Sequence, residues 1–262
     1  MKKLKLSHAI FWILLITVCV SGIPWATYAY FLHSKQTKIH NSAYNITALI
    51  QTTTSREPLK TLFLAEVLQL STDRPTNLFA FSSQEAGQLL VKQPVIKQAN
   101  IKKIVPSTLH ISYSMRQPVA FLGDYSNTAL DIEAIPFPFK PFYTPKILPK
   151  IYLGKNELKD FAWGNQINSP LISVAYEIIH SFSKGAQVST VDLSRAFAKE
   201  WGRKEIVVTL SNQHILRLPT KNFQKQIDHY WGLQHILLPK DFTQKQVVVD
   251  LRLPDFAYVM SP

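Results

Sequence analysis

Between Lys5 and Lys35 the chain carries no Asp, Glu, Lys or Arg. Within that stretch Ala9 to Leu32 is 24 residues of mostly apolar side chains, centred on Ile10, Phe11, Trp12, Ile13, Leu14, Leu15, Ile16 and Val18. A helix of that length is roughly 36 Å long at about 1.5 Å per residue, enough to cross a hydrocarbon core of about 30 Å with some tilt. Trp25, Tyr28 and Tyr30 fall toward one end, where an aromatic belt meets the membrane interface. Lys2, Lys3 and Lys5 lie at the other, and the positive-inside rule then puts the N-terminus in the cytoplasm and the bulk of the chain outside it. A cleaved signal peptide is the competing reading, with Lys2–Lys5 as the basic region, Ala9–Val20 as the apolar one and Thr27 and Ala29 as small residues before a cut. Apolar character continues past Gly22 and Pro24 to Phe31, which favours an uncleaved anchor.

The formal net charge is +12, of which +9 belongs to residues 34–262. Nucleic acid is one partner for so basic a chain, but the basic residues are scattered, the tightest groups being Lys97/Lys102/Lys103 and Arg203/Lys204. No basic helical run, zinc-finger spacing or RNP-like motif accompanies them, so no nucleic-acid partner is expected. A basic surface also suits an anionic lipid or an acidic wall polymer. The single cysteine, Cys19, sits inside the apolar segment, so no intramolecular disulfide can form and the rest must be held by its core.

After the polar stretch 33–43, which reads as a linker, the pattern is β-α-α-β-β. Residues 44–51 alternate at Ile46, Ala48 and Ile50 as a strand. Thr54 and Glu57 have capping-box spacing, and Leu59, Leu62, Phe63, Glu66, Val67 and Leu70 follow at helical intervals. Ser82 and Glu85 repeat that signal ahead of Ala86, Leu89 and Leu90. Ile96 to Val105 is a strand, and Leu109, Ile111, Tyr113 and Met115 alternate with His110, Ser112 and Ser114 in another.

Downstream come short strands at Val119–Leu122 and Ala129–Ile132, then five prolines within 136–149 that read as a loop on a domain surface. A helix over Leu171–Phe182, a strand over Val188–Leu193, a hairpin of Ile206–Leu210 with His214–Leu218, and a helix over Phe223–Leu237 follow. The last strand is Val247–Leu253, extended by Ala257–Met260. The fold class is therefore α+β: one N-terminal membrane helix, a βααββ domain, and a mixed domain with a largely antiparallel sheet.

Three stretches make a family resemblance specific. Pro94-Val95-Ile96-Lys97-Gln98-Ala99 fits P-x-I-x-x-A, Pro106-Ser107-Thr108-Leu109-His110-Ile111 fits P-x-x-L-x-I, and Arg116-Gln117-Pro118-Val119-Ala120 fits R-x-P-x-A. Leu59–Phe63 and Asn77-Leu78-Phe79 precede them, and Leu148-Pro149-Lys150-Ile151-Tyr152-Leu153-Gly154 and Val249-Asp250-Leu251-Arg252 follow. Together they resemble the FtsQ/DivIB family of bacterial cell-division proteins. Met115 stands where that family has an acidic residue before the Arg, and the D-x-x-G turn becomes Asp131-Ile132-Glu133-Ala134.

The resemblance implies a cytoplasmic tail (1–8), a transmembrane helix (9–32), a linker (33–43), a POTRA domain (44–118) and a C-terminal β domain (119–262). It implies a single-pass inner-membrane protein of the divisome, at the septum, linking early division proteins to septal peptidoglycan synthesis. Partners of FtsB and FtsL type would add a strand at the C-terminal edge, Val247–Met260, with Arg203, Val249, Arg252, Phe256 and Tyr258 as binding residues. A POTRA-type transport or chaperone adaptor and a secreted wall-binding protein are the alternatives.

No H-E-x-x-H, G-x-S-x-G or Gly-rich phosphate loop is present, and Asp192, Glu200, Glu205 and Asp250 stand in unrelated contexts. Accordingly no catalytic residue, metal ligand or cofactor is expected. The anchor reading predicts that N-terminal sequencing of the mature protein starts at Met1 or Lys2; a start at Tyr30 would make the chain a secreted one.

Overall fold

The computed structural model describes residues 6–182, 187–198, 204–236 and 246–260. The fold is mixed α+β. Its contacts divide the chain into two compact units: Met1–Thr54, Pro58–Val91 and Gln98–Ser114 form the first, and Ser55–Glu57, Lys92–Lys97 and Met115–Pro262 the second.

The first unit begins with a helix in three sections, α1 (Leu6–Thr17), a π-turn (Val18–Gly22) and α2 (Ile23–Ile39). Pro24, near the start of α2, has no N–H for the preceding turn, and wider turns of this kind absorb such interruptions. The hydroxyls of Thr17 and Ser21 donate back to the carbonyls of Ile13 and Thr17 (2.8 and 2.6 Å), so these two protons are satisfied within the helix. Ile10–Ile39 is the one span, among the described residues, long and apolar enough to cross a membrane, and none of it is buried within the protein. The polar stretch after Leu32 is helical as far as Ile39, because no glycine or proline interrupts it.

Asn77, only 8% exposed, closes the helix onto the strands that follow. Its amide donates to the carbonyls of Lys38 and Asn41 (3.0 and 3.1 Å), and its oxygen accepts from Phe79 N (2.8 Å). Tyr44 meets Phe79 edge to face, and Lys38 lies over the same ring. β1 (Ala48–Thr53), α3 (Thr61–Val67), α4 (Ser83–Val91), β2 (Ile96–Ile104) and β3 (Thr108–Met115) complete the βααββ order. Spatially the sheet runs β1-β3-β2, with β1 parallel to β3 from Ala48↔Thr108 to Thr53↔Tyr113. Leu109, Ile111 and Tyr113 point into a core with Leu59, Leu64, Leu78 and Leu90, as alternation predicts. The Tyr113 hydroxyl accepts from Leu59 N (2.7 Å) and donates to Gln51 Oε1 (3.0 Å).

The capping box expected at Thr54–Glu57 does not form; those residues are bends, and α3 starts at Thr61 behind Lys60. Glu57 precedes a proline, which disfavours helical backbone there. Its carboxylate instead accepts from Thr144 N (2.6 Å) and Lys146 Nζ (2.6 Å). At Ser82 the expectation is met: its hydroxyl accepts from Glu85 N (3.4 Å) as α4 begins.

The second unit is built on a sheet ordered β12-β11-β10-β9-β8-β7-β4-β5-β6. Its strands are β4 (Ala120–Leu122), β5 (Thr128–Leu130), β6 (Pro136–Pro138), β7 (Lys150–Tyr152), β8 (Val188–Asp192), β9 (Ile206–Leu210), β10 (His214–Leu218), β11 (Val247–Asp250) and β12 (Tyr258–Met260). Among the described residues five of its eight pairings are antiparallel; β4–β7, β7–β8 and β10–β11 are parallel. Helices α5 (Pro170–Ser181) and α6 (Phe223–Ile236) supply Ile172, Ala175, Ile178, Ile227 and Tyr230 to the core with Val191, Val208, Leu216 and Val249. Ser169 caps α5, accepting from Leu171 N and donating to Glu157.

The proline-rich segment is more than a surface loop. Phe137, Phe139 and Tyr143 are buried, and Pro136–Pro138 is a strand at the sheet margin, where a residue without an N–H loses no ladder bond. Nearby, Asp131 accepts from Arg116 Nη1 (2.7 Å) and from the N–H groups of Glu133 and Ile135 (both 2.9 Å). Ala134 holds φ at +60°, in the left-handed region that glycine adopts at lower cost. Replacing Asp131 by Ala would leave the nearly buried Arg116 guanidinium only the more distant Glu133 (3.6 Å) as a counter-charge and would orphan the N–H groups of Glu133 and Ile135. The expected loss is about 3–5 kcal/mol in a denaturant titration of the full chain; a loss under about 1 kcal/mol would show that solvent replaces the pair.

Candidate functional site

The sheet has two margins, and they differ. At β6 the backbone is blunted by Pro136 and Pro138, and the Pro136 carbonyl is already taken by Gly164 N (2.8 Å). At the opposite margin β12 is paired, among the described residues, on one side only, antiparallel to β11 through Val248↔Met260, Val249↔Val259 and Asp250↔Tyr258. Every side chain of β12 is exposed: Tyr258, Val259 and Met260, preceded by exposed Leu253 and Phe256. An apolar strand uncovered on both faces, with main-chain donors and acceptors along its free side, is a template for another strand.

The sequence places Ala257–Met260 as a continuation of the preceding strand. The structure reverses it. Pro254 breaks the run, Asp255 takes φ +62°, and the chain folds back along β11.

A charge cluster braces this margin from within. Glu205, with 4% of its side chain exposed, accepts from Arg217 Nε and Nη2 (2.7 and 2.6 Å) and pairs with Arg195 Nη1 (3.3 Å) and Arg252 Nη1 (3.5 Å). Asp250 pairs with Arg217 Nη1 (3.2 Å) and with Arg252 through Nε (2.9 Å) and Nη2 (2.7 Å). Three guanidiniums thus face two carboxylates in one connected set, linking β10 and β11 to the turn after β11. Burial pushes the Asp250 carboxyl up, but its hydrogen bonds from Arg252 outweigh that and leave it below the usual carboxylate range. The same bonds raise Arg252.

Four of the five expected binding residues have a definite place. Phe256 and Tyr258 are exposed, at 67% and 57%. Val249 is buried at 1%, so its side chain belongs to the core and its main chain is bracketed by β10 and β12. Arg252 is turned inward to Asp250 and Glu205, with 25% of its side chain exposed. Arg203 lies outside the described residues. Sequence reasoning passed over Leu253, Val259, Met260 and Arg195, whose side chain is 68% exposed. The Pro254-Asp255 pair was the signal for the reversal that brings the first three together.

Of the carboxylates considered for acid–base work, Glu205 and Asp250 are held by arginines, Asp192 accepts from Ser194 N (2.9 Å), and Glu200 lies outside the described residues. Among the described residues no group of His, Cys, Asp and Glu is placed to hold a metal ion. No family model matches the chain, and no curated protein matches it.

Because Asp250 is lowered in the folded chain, its pairing stabilises above the unfolded carboxylate value of about 3.9 and is lost as pH falls through the folded value. Thermal midpoints should therefore hold level from pH 7 to about 5 and fall below about 4. In Asp250→Asn that fall should be shallower, and an identical profile in the variant would contradict the assignment.

Proposed function

We propose that this protein is a membrane-anchored, non-catalytic assembly factor of the FtsQ/DivIB type. The helix Leu6–Ile39 confines it to a membrane, and it recruits partners by strand addition at β12. The observation that carries this reading is the asymmetry of the large sheet among the described residues: one margin closed by prolines and a covering loop, the other open, apolar and exposed on both faces.

The βααββ unit, with its β1-β3-β2 sheet joined directly to the anchor, supports a POTRA assignment for residues 44–118. The P-x-I-x-x-A, P-x-x-L-x-I and R-x-P-x-A stretches fall on β2, β3 and β4 and the turns that enter them. On this reading the partners are single-span, coiled-coil proteins of FtsB and FtsL type. Their extracytoplasmic segments pair with Tyr258–Met260 while Leu253 and Phe256 bury apolar side chains. The protein links early division proteins to septal peptidoglycan synthesis at the inner membrane, with its N-terminus in the cytoplasm.

Within this scheme Arg252 acts on the partner indirectly. It holds the β11–β12 turn through Asp250, while Arg195, paired with Glu205 through Nη1 but with 68% of its side chain exposed, is the guanidinium that can meet an acidic partner residue at the rim.

A photo-crosslinking residue in place of Phe256, in living cells, tests the reading directly. It should capture a small single-span coiled-coil protein, and Val259→Lys with Met260→Lys should abolish capture, since lysines on an edge oppose pairing. Capture of wall fragments alone, or unchanged capture in the double-lysine variant, would remove strand addition at β12 as the mode of recruitment.

A further inference from the structure

A concave surface lies in the other half of the large sheet. β4, seventh in the order, is six strand spacings from β12, or about 29 Å at roughly 4.8 Å per strand. There the β4–β5 turn, the start of β7 and the segment after β6 enclose a groove of about 570 Å³. That size falls among ligand clefts of about 300–1,000 Å³.

Four rings line it, Phe121, Tyr125, Phe139 and Tyr152, and each is held by a neighbour. Phe121 meets Phe139 edge to face at 5.0 Å. Tyr125 stacks on Phe161 at 3.9 Å. The Tyr152 ring lies so close over Gly123 that a Cβ there would fall 2.5 Å from its carbons. The rings are therefore set before any ligand arrives.

Three lysines complete the lining, Lys140, Lys146 and Lys150, and no carboxylate does. Lys146 is already matched by Glu57 at 2.6 Å. Among the described residues neither Lys140 nor Lys150 has an acidic partner. The nearest turn carboxylate, Asp124, is taken up by the N–H groups of Leu153 and Gly154 (2.8 and 3.1 Å). The amide and one hydroxyl of the lining are also engaged. Asn127 bonds the Lys140 main chain at both ends of its side chain (2.7 and 3.0 Å), and the Thr128 hydroxyl sits between the Ser126 carbonyl and Trp163 Nε1 (3.0 and 3.2 Å).

What the groove offers is apolar ring surface under two unpaired ammonium groups. A carbohydrate needs paired donors and acceptors for its hydroxyls, and this lining gives it few. An apolar side chain flanked by carboxylates matches both features. We propose that this groove is a second docking site, separate from the β12 margin, for an acidic peptide segment of a partner protein that inserts one aromatic or large aliphatic residue between flanking Asp or Glu. Lys140 and Lys150 hold the carboxylates; the rings hold the apolar side chain.

The test uses the full chain in nanodiscs of neutral lipid. A capped pentapeptide with four acidic residues around one 4-fluorophenylalanine is titrated and read by ¹⁹F line broadening. Its amide counterpart, with Asn and Gln in place of the acids, and a sulfated disaccharide run in parallel. The acidic peptide should bind, should weaken as salt is raised, and should bind at least tenfold more weakly to Lys140→Glu/Lys150→Glu and to Gly123→Ala, both with unchanged thermal midpoints. Equal binding of the amide peptide, no binding of either peptide, or acidic-peptide binding unaffected by the double charge reversal would overturn the proposal. Stronger binding of the sulfated disaccharide would overturn it in favour of a glycan. None of these outcomes bears on crosslinking at Phe256, so the two readings stand or fall separately.

Discussion

Glu205 is a carboxylate with almost no access to water, and a group so placed must be compensated where it stands. Arg217 supplies most of that compensation, and Arg252 and Arg195 complete it. Arg217 and Arg252 also share Asp250, so the order of β10, β11 and the turn before β12 depends on one cluster of charges. That dependence explains how a three-residue strand with no buried side chain keeps its position. β12 contributes nothing to the core; it is held by its ladder with β11 and by a turn fixed at Arg252.

Much of this was legible in the sequence wherever a residue's own period decided the matter. The alternation from Leu109 to Met115 gave β3, the Ser82/Glu85 signal gave α4, and the paired runs Ile206–Leu210 and His214–Leu218 gave the β9–β10 hairpin. The failures have a common origin in long-range partners. Glu57 has the spacing of a capping residue but bonds Thr144 and Lys146, some ninety positions away. Prolines at 136 and 138 argue against a strand until it is known that the strand lies at a margin. The side of the candidate site that faces outward, Phe256 and Tyr258, could be read from composition. The inward commitment of Arg252 could not, because it rests on Glu205, a residue 47 positions earlier whose burial no local pattern announces.

The two margins of the large sheet express opposite solutions to one problem. A free edge invites pairing with any extended chain, and β6 suppresses this by residue type and by a covering loop. At β12, among the described residues, the same hazard is left open, with exposed Leu253, Phe256, Tyr258, Val259 and Met260 along it. The groove at β4, β5 and β7 is a different kind of surface, concave and cationic, suited to reading one side chain instead of a run of backbone. A chain with both could grip one partner by its main chain and another by its charges.

Asn77 has a further mechanical meaning. The last carbonyls of a helix ordinarily face solvent and leave the following chain free to swivel. Here two carbonyls, of Lys38 and Asn41, are clamped by a side chain whose own oxygen is bound to Phe79 N. The N-terminal helix and the first sheet therefore share one azimuth, as a shaft shares the azimuth of a keyed wheel. One residue added near Ile39 would turn the wheel by about 100° on its shaft. Torque applied to the helix would be passed to the βααββ unit as rotation through the Asn77 bonds.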